Sequence, residues 1–227
     1  MRVDKRYRYF YKPLVFLACL VPLAWVVGGI LDVYGVLHLK IADLGVDPVQ
    51  QMLNIFGKSA LNLLMITLLV TPVRQLTGNA NLVRLRRMLG LFAFSYVVLH
   101  FATYVGPFSG LDLHAIVGDI TKRPYITIGF LALLMLIPLA ITSTNRMMRR
   151  LGRRWTTLHR LIYVIAIIGV WHYWWQVKKD YSDPLRYAVI LAVLLGWRLW
   201  RRWRLTSKSA PPRAPGKTAA AAPSPDN

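Results

Sequence analysis

The chain has 227 residues, 56% of them hydrophobic, with a mean hydropathy of +0.41 and a formal net charge of +20. That apolar balance exceeds what one water-soluble core of this size needs, and the basic residues stand in short clusters between long apolar runs, so composition argues against a soluble fold and against a nucleic-acid partner. The only cysteine, Cys19, lies inside the first apolar run, which leaves no disulfide framework and no Cys-built zinc or iron–sulfur site.

The N-terminus, MRVDKRYRYFYK followed by PLVFLACLVPLAWVVGGIL, has the charge pattern of a signal peptide. Its apolar stretch is longer, however, and no small-x-small cleavage site follows, so it reads as a retained first helix. Apolar segments then fall at Leu14 to Leu31, Ile55 to Val73, Leu89 to Val105, Tyr125 to Thr142, Leu158 to Gln176 and Leu185 to Trp200. Each is long enough, at about 1.5 Å per residue, to approach the ~30 Å hydrocarbon core of a bilayer, the last being the shortest. The fold class expected is an all-α membrane protein, a bundle of about six transmembrane helices over residues 14–204. Residues 1–13 form its cytoplasmic N-terminus. Residues 205–227 read as a disordered cytoplasmic tail, because their segment SKSAPPRAPGKTAAAAPSPDN lacks large apolar residues to bury. No internal repeat stands out, and no space remains for a soluble nucleotide-binding domain.

Orientation follows from Lys and Arg. Twenty-two of the 29 fall in the two termini and in alternate loops, including Arg74, Arg84, Arg86, Arg87 and the run from Arg146 to Arg160. The other side carries seven, with most of the acids, among them Asp112, Asp119, Asp180 and Asp183. The positive-inside rule then places both termini in the cytoplasm, with the first, third and fifth segments running outward.

Ionisable side chains within a span are costly and tend to face the bundle interior. His100 sits about 16 Å, and His172 about 21 Å, from the cytoplasmic ends of the third and fifth segments, at 1.5 Å per residue. Two neutral imidazoles on facing helices at matched depth are what the two axial positions of a low-spin b-type haem require; two unrelated histidines satisfied by neighbouring hydroxyls or carbonyls are the bland alternative. Gly90, Gly106 and Gly169 are expected to allow close backbone approach, and Tyr96 and Tyr104 flank His100 on its own face. His159 lies 13 residues before His172, at the cytoplasmic interface. At 100° per residue it is rotated off the His172 face, which leaves a second cofactor layer and simple snorkelling beside Arg160 both open. His38 and His114 read as solvated loop residues. Trp171, Tyr173, Trp174 and Trp175, and Trp155 at the opposite end, read as interfacial aromatics. The basic loop RRLGRRW would meet anionic headgroups of membrane lipid. No chain of buried carboxylates suggests an ion pump.

The segments LVTPVRQL, RRMLGLFAFSYVVLHFATY, DITKRPYITIGF, PLAITSTN and RRWTTLHRLIYVIAIIGVWHYWW, in this order across Pro13 to Trp200, resemble the MsrQ (YedZ) family of haem-binding membrane subunits. That family belongs to the wider ferric reductase-like transmembrane group, which includes the NADPH oxidases. The resemblance implies a multi-pass protein of the bacterial inner membrane that is an electron-transfer subunit and not the catalytic one. It would carry electrons from the quinone pool, or from a flavin reductase, to the periplasmic molybdopterin enzyme MsrP, which repairs methionine sulfoxide in oxidised periplasmic proteins. It also implies that His100, His159 and His172 are haem-associated, with haem b and FMN as cofactors and quinol as donor. The sequence itself displays no flavin site. NADPH oxidases carry two histidines on the third helix about one haem layer apart; here the residues 13 and 14 before His100 are Arg87 and Arg86. One haem between His100 and His172 is therefore expected, with an inner site around His159 open to a flavin, a quinol or a second haem. The rival expectation is a non-redox membrane protein, such as a small transporter or an assembly factor.

Overall fold

The computed structural model describes residues 7–36 and 43–208, and among these residues all regular secondary structure is helical, without strands. A single π turn, Tyr7–Tyr11, leads into α1 (Lys12–Val33). α2 (Pro48–Thr77) starts with Pro48 behind Asp47, whose carboxylate accepts the Gln50 N–H at 3.0 Å. Proline fits the first helical turn and the aspartate caps an otherwise unpaired donor. It ends at Gly78, whose positive φ of 70° closes a left-handed cap onto the Arg74 carbonyl. α3 (Leu82–Thr103) continues as a π turn, Tyr104–Phe108, and is followed by α4 (Leu113–Lys122) and α5 (Pro124–Ile141). Two short helices, α6 (Asn145–Leu151) and α7 (Arg153–Leu158), meet at Gly152 with φ 50°. α8 (Leu161–Gln176) and α9 (Ser182–Lys208) complete the described chain. The tail expected from residue 205 is still helical as far as Lys208, as the end of α9, and the rest of it lies outside the described residues.

Four helical stretches, Tyr9–Val33, Pro48–Thr77, Leu82–Phe108 and Pro124–Ile141, are long and apolar enough to cross a bilayer, and the protein is an all-α, multi-pass membrane protein. α8 and α9 cover the fifth and sixth expected segments but fall short of that measure, α8 because it has only 16 residues. α4, which hydropathy does not reveal, is a short amphipathic helix with Asp112 capping the His114 and Ala115 N–H groups.

α2 is the centre of the bundle. Of its most apolar stretch 61% is buried, against 17% for α1, whose Leu17, Val21 and Val27 point outward as lipid-facing side chains do. One core cluster joins α2 to α5, α8 and α9 around Leu68, Ile165 and Ala166; a second joins it to α1 and α3 around Val26, Phe56 and Tyr96. Three side-chain bonds pin α9 along α2: Lys58 to Asp183 at 2.7 Å, Tyr187 to Asn62 at 2.7 Å and Trp197 to Gln75 at 3.1 Å. A fourth contact repairs a backbone defect. Pro72 has no N–H to give the Leu68 carbonyl, and the Arg198 guanidinium donates to that oxygen instead, at 2.6 Å.

The antiparallel packing gathers the start of α2, the end of α3, α4, the start of α5 and the end of α8 at one end of the bundle, here termed the α4 end. The loop of α6 and α7 marks the other, the α6 end.

Candidate functional site

His100 on α3 and His172 on α8 face each other across a cavity, with ring centroids 6.3 Å apart and planes crossing at 85°. His100 Nδ1 lies 2.9 Å from the Leu53 carbonyl oxygen and His172 Nδ1 lies 2.6 Å from that of Tyr125. A carbonyl only accepts, so each Nδ1 carries the proton and donates, and each Nε2 keeps its lone pair. This second bond also fixes the orientation of each ring, as it does for metal-ligating histidines generally.

Two glycines make room for those bonds. A Cβ on Gly57 would stand 3.1 Å from His100 Nδ1, and one on Gly129 would stand 2.7 Å from His172 Nδ1. Each glycine follows its accepting carbonyl by four residues, one helical turn, so a bare backbone patch lets the imidazole reach a carbonyl inside a helix. Residues 53, 57 and 100 correspond to residues 125, 129 and 172, each pair 72 apart. The α2–α3 pair and the α5–α8 pair thus build their histidines in the same way. This is an internal repeat that composition and motif inspection do not disclose.

The glycines expected from sequence play a lesser part. A Cβ would meet nothing within 4 Å at Gly90 or Gly106, and only Leu61 Cδ1, at 3.6 Å, at Gly169. Tyr104 lines the cavity, but Tyr96 does not: it is turned toward α1, donating to the Cys19 carbonyl at 2.6 Å and accepting the Leu23 N–H at 3.2 Å. Pro22 lies inside that turn of α1, and the phenol bridges the opened ladder.

The cavity has a volume of about 410 Å³. Its deeper part is walled by aliphatic side chains such as Leu64, Leu133, Leu136 and Ile165; its mouth at the α4 end carries Gln50, Asn54, Lys58, Arg123 and Tyr104. A metal–imidazole bond is about 2.0 Å, and a further ~1.1 Å separates nitrogen from ring centroid, so two imidazoles sharing one iron stand roughly 6.2 Å apart. The observed 6.3 Å matches. Paired neutral imidazoles, free Nε2 lone pairs and an apolar cavity between four helices together fit a bis-histidine haem.

His159 stands elsewhere. It is not on the same helix as His172, as the sequence reading supposed: α7 ends at Leu158, α8 begins at Leu161, and His159 caps α7 in the turn between them. Its ring stacks on Trp155 with centroids 4.0 Å apart, and its Nε2 lies 3.1 Å from the Thr142 hydroxyl. Trp155 also donates to the Thr142 carbonyl at 3.0 Å, so it is a structural partner of His159 as well as an aromatic at the bundle end. Arg87, which precedes His100 by the 13 residues that separate His159 from His172, hydrogen-bonds to Asn145. His114 is exposed in the first turn of α4 and not in a loop, while His38 lies outside the described residues. Trp171 and Trp175 are exposed and pack edge to face at 5.3 Å, but Tyr173 turns inward to line the cavity.

Gly57, Gly129 and the two carbonyls are the site features that the sequence reading missed. The signal available was the shared spacing of glycine and histidine in the two halves.

Residues 56–170 match the family described as Ferric reductase like transmembrane component. The chain is also similar to proteins named protein-methionine-sulfoxide reductase heme-binding subunit MsrQ. With that of Xanthomonas campestris pv. campestris (strain 8004) it shares 54% identity over 75% of this chain and 80% of the relative. With that of Xanthomonas axonopodis pv. citri (strain 306) the identity is 52% over the same shares. The Ralstonia nicotianae protein is 48% identical over 84% of this chain and 85% of its own.

Proposed function

Because the chain belongs to the MsrQ family, within the ferric reductase-like transmembrane proteins, we propose that it is the haem b electron-transfer subunit of a methionine sulfoxide reductase system. It lies in the bacterial inner membrane as a six-span bundle with both termini cytoplasmic, passing quinol-derived electrons to a periplasmic molybdopterin subunit, MsrP, that repairs oxidised proteins. The observation that carries this reading is the His100–His172 pair, each ring proton-anchored to a backbone carbonyl and the pair spaced for one shared iron. When bound, the haem supplies a one-electron carrier near the periplasmic face, which is the α4 end in this orientation.

The chain's own residues do the rest. Leu53 and Tyr125 carbonyls hold the imidazoles in one tautomer and add electron density to them, one lever on potential. Leu64, Leu133, Leu136 and Ile165 keep the centre dry, which is the second lever. Sulfoxide reduction takes two electrons, so two successive single transfers through this chain serve each turnover. Electrons enter at the α6 end, where Arg86, Arg87, His159 and the basic loop offer charge for a quinol or for the phosphate of FMN. A second haem lacks an imidazole partner there, since Arg87 occupies the position equivalent to a histidine.

The test is electron delivery. The dithionite-reduced, desalted protein is mixed with its purified periplasmic molybdopterin partner and a peptide containing methionine sulfoxide. Reoxidation that requires both partner and peptide is the expected result. A reduced spectrum that persists, with a partner shown active toward an artificial donor, contradicts the assignment.

A further inference from the structure

The cavity is polar at one end only, and its cations sit beside the two features that hold the histidines. Lys58 immediately follows Gly57, the glycine packed against His100, and Arg123 lies two residues before Tyr125, whose carbonyl holds His172. Both line the cavity. The remaining cations of the bundle interior do not: Arg198 is committed to the Leu68 carbonyl and the Tyr163 ring on the other side of α2, and Arg86 lies toward the α6 end.

Resting on the haem reading above, we propose that Lys58 and Arg123 form a two-cation clamp for the two carboxylates of the porphyrin, setting its acidic edge toward the α4 end. A haem bears both propionates on one edge. Its opposite edge is hydrocarbon, which suits the aliphatic wall at Leu64, Leu133 and Leu136. The reverse orientation would bury two carboxylates against that wall without donors, where unpaired charge is strongly disfavoured.

Each cation already has an acidic neighbour, and each acid has a second donor to keep. Lys58 Nζ lies 2.7 Å from Asp183, which also takes Arg186 at 3.2 Å and the Tyr173 hydroxyl at 3.4 Å. Asp183 stands ahead of the apolar stretch of α9, and hydrogen bonding to Lys58 holds its carboxyl below the usual carboxylate range. Arg123 binds Asp119 through Nε at 2.9 Å and the Tyr125 hydroxyl through Nη1 at 3.3 Å, and Asp119 also accepts from the Tyr104 hydroxyl at 3.0 Å. Arg123 Nη2 makes no hydrogen bond among the described residues. The cations can therefore lean toward incoming carboxylates while Asp119 and Asp183 remain solvated and hydrogen-bonded at the rim.

The experiment compares ferric protoporphyrin IX with its dimethyl ester, which keeps the ring and iron but has no carboxylates. Full-length protein produced under haem limitation is titrated with each in detergent, and binding is read from the low-spin Soret band. The wild type is expected to favour the acid over the ester, with about a tenfold loss of that preference for each cation removed in Lys58→Gln and Arg123→Gln, as charge-assisted bonds imply. The double variant is expected to bind acid and ester alike, and Lys58→Arg with Arg123→Lys to keep the preference. Equal binding of acid and ester by the wild type overturns the clamp with no variant needed, as does undiminished preference in the double variant. A low-spin spectrum with neither porphyrin overturns the haem reading itself, and the clamp with it.

Discussion

Gly129 stands so close to His172 that a Cβ there would sit 2.7 Å from Nδ1, nearer than carbon and nitrogen can approach, whereas the equivalent gap from Gly57 to His100 is 3.1 Å. The two halves of the site share a design but differ in tolerance. Gly129→Ala must push the His172 ring off the Tyr125 carbonyl, and changes to such outer partners cost roughly 10- to 100-fold in metal affinity. The expected result is severe haem loss in Gly129→Ala and a milder loss in Gly57→Ala, measured as haem per polypeptide after purification. Equal, full occupancy in both variants would contradict the close-packing account, provided circular dichroism shows native helix content.

The sequence made the bundle legible because apolar runs of this length have few alternatives in a chain so rich in them. It made His100 and His172 legible because an ionisable residue in an apolar run stands out. The partners that orient these rings were hidden for a physical reason: a backbone carbonyl has no letter, and Gly57 and Gly129 look like ordinary helix glycines until the opposing ring is known. His159 was misread because His159 and Arg160 stand directly before the apolar run that starts at Leu161 and pass for the interfacial first turn of that span, so hydropathy could not register that the chain turns there and that α8 begins only at Leu161. Tyr96 was misread because helical spacing shows which residues share a stripe, while Pro22 on another helix decided which way the phenol turned.

His159 is committed to Trp155 and Thr142 and stands apart from the cavity, so His159→Ala should leave the absorbance of the His100–His172 haem intact. Its effect belongs to electrons entering at the α6 end. Slower reduction by a quinol analogue with an unchanged spectrum is expected by stopped-flow absorbance. Loss of half of the haem in His159→Ala would instead establish a second, His159-ligated haem.

Arg198 and Pro72 are predicted to be coupled. Arg198→Leu leaves the Leu68 carbonyl without a donor inside the bundle, a loss of about 1–3 kcal/mol. Pro72→Ala restores an amide donor one turn along, so Arg198→Leu should cost less in that background. A double-mutant cycle on detergent unfolding would show the coupling, and additive effects would show that the guanidinium serves some other purpose.

Tyr96→Phe removes the hydroxyl that bridges Cys19 and Leu23 in the kinked turn of α1. Two backbone groups lose a partner in an apolar setting, and a destabilisation of about 1–3 kcal/mol is expected. Faster proteolysis within α1, with the haem spectrum preserved, is the accompanying sign, because α1 contributes nothing to the cavity wall.

The most direct measurement is the dithionite-reduced minus oxidised spectrum of the purified protein beside those of His100→Ala and His172→Ala. The wild type should show the Soret and α bands of a low-spin b-type haem, and each substitution should abolish them, since neither imidazole alone completes the axial pair. A wild type produced with adequate haem that shows no such bands, or variants that retain them, would contradict the assignment of His100 and His172 as the two ends of one iron's axis.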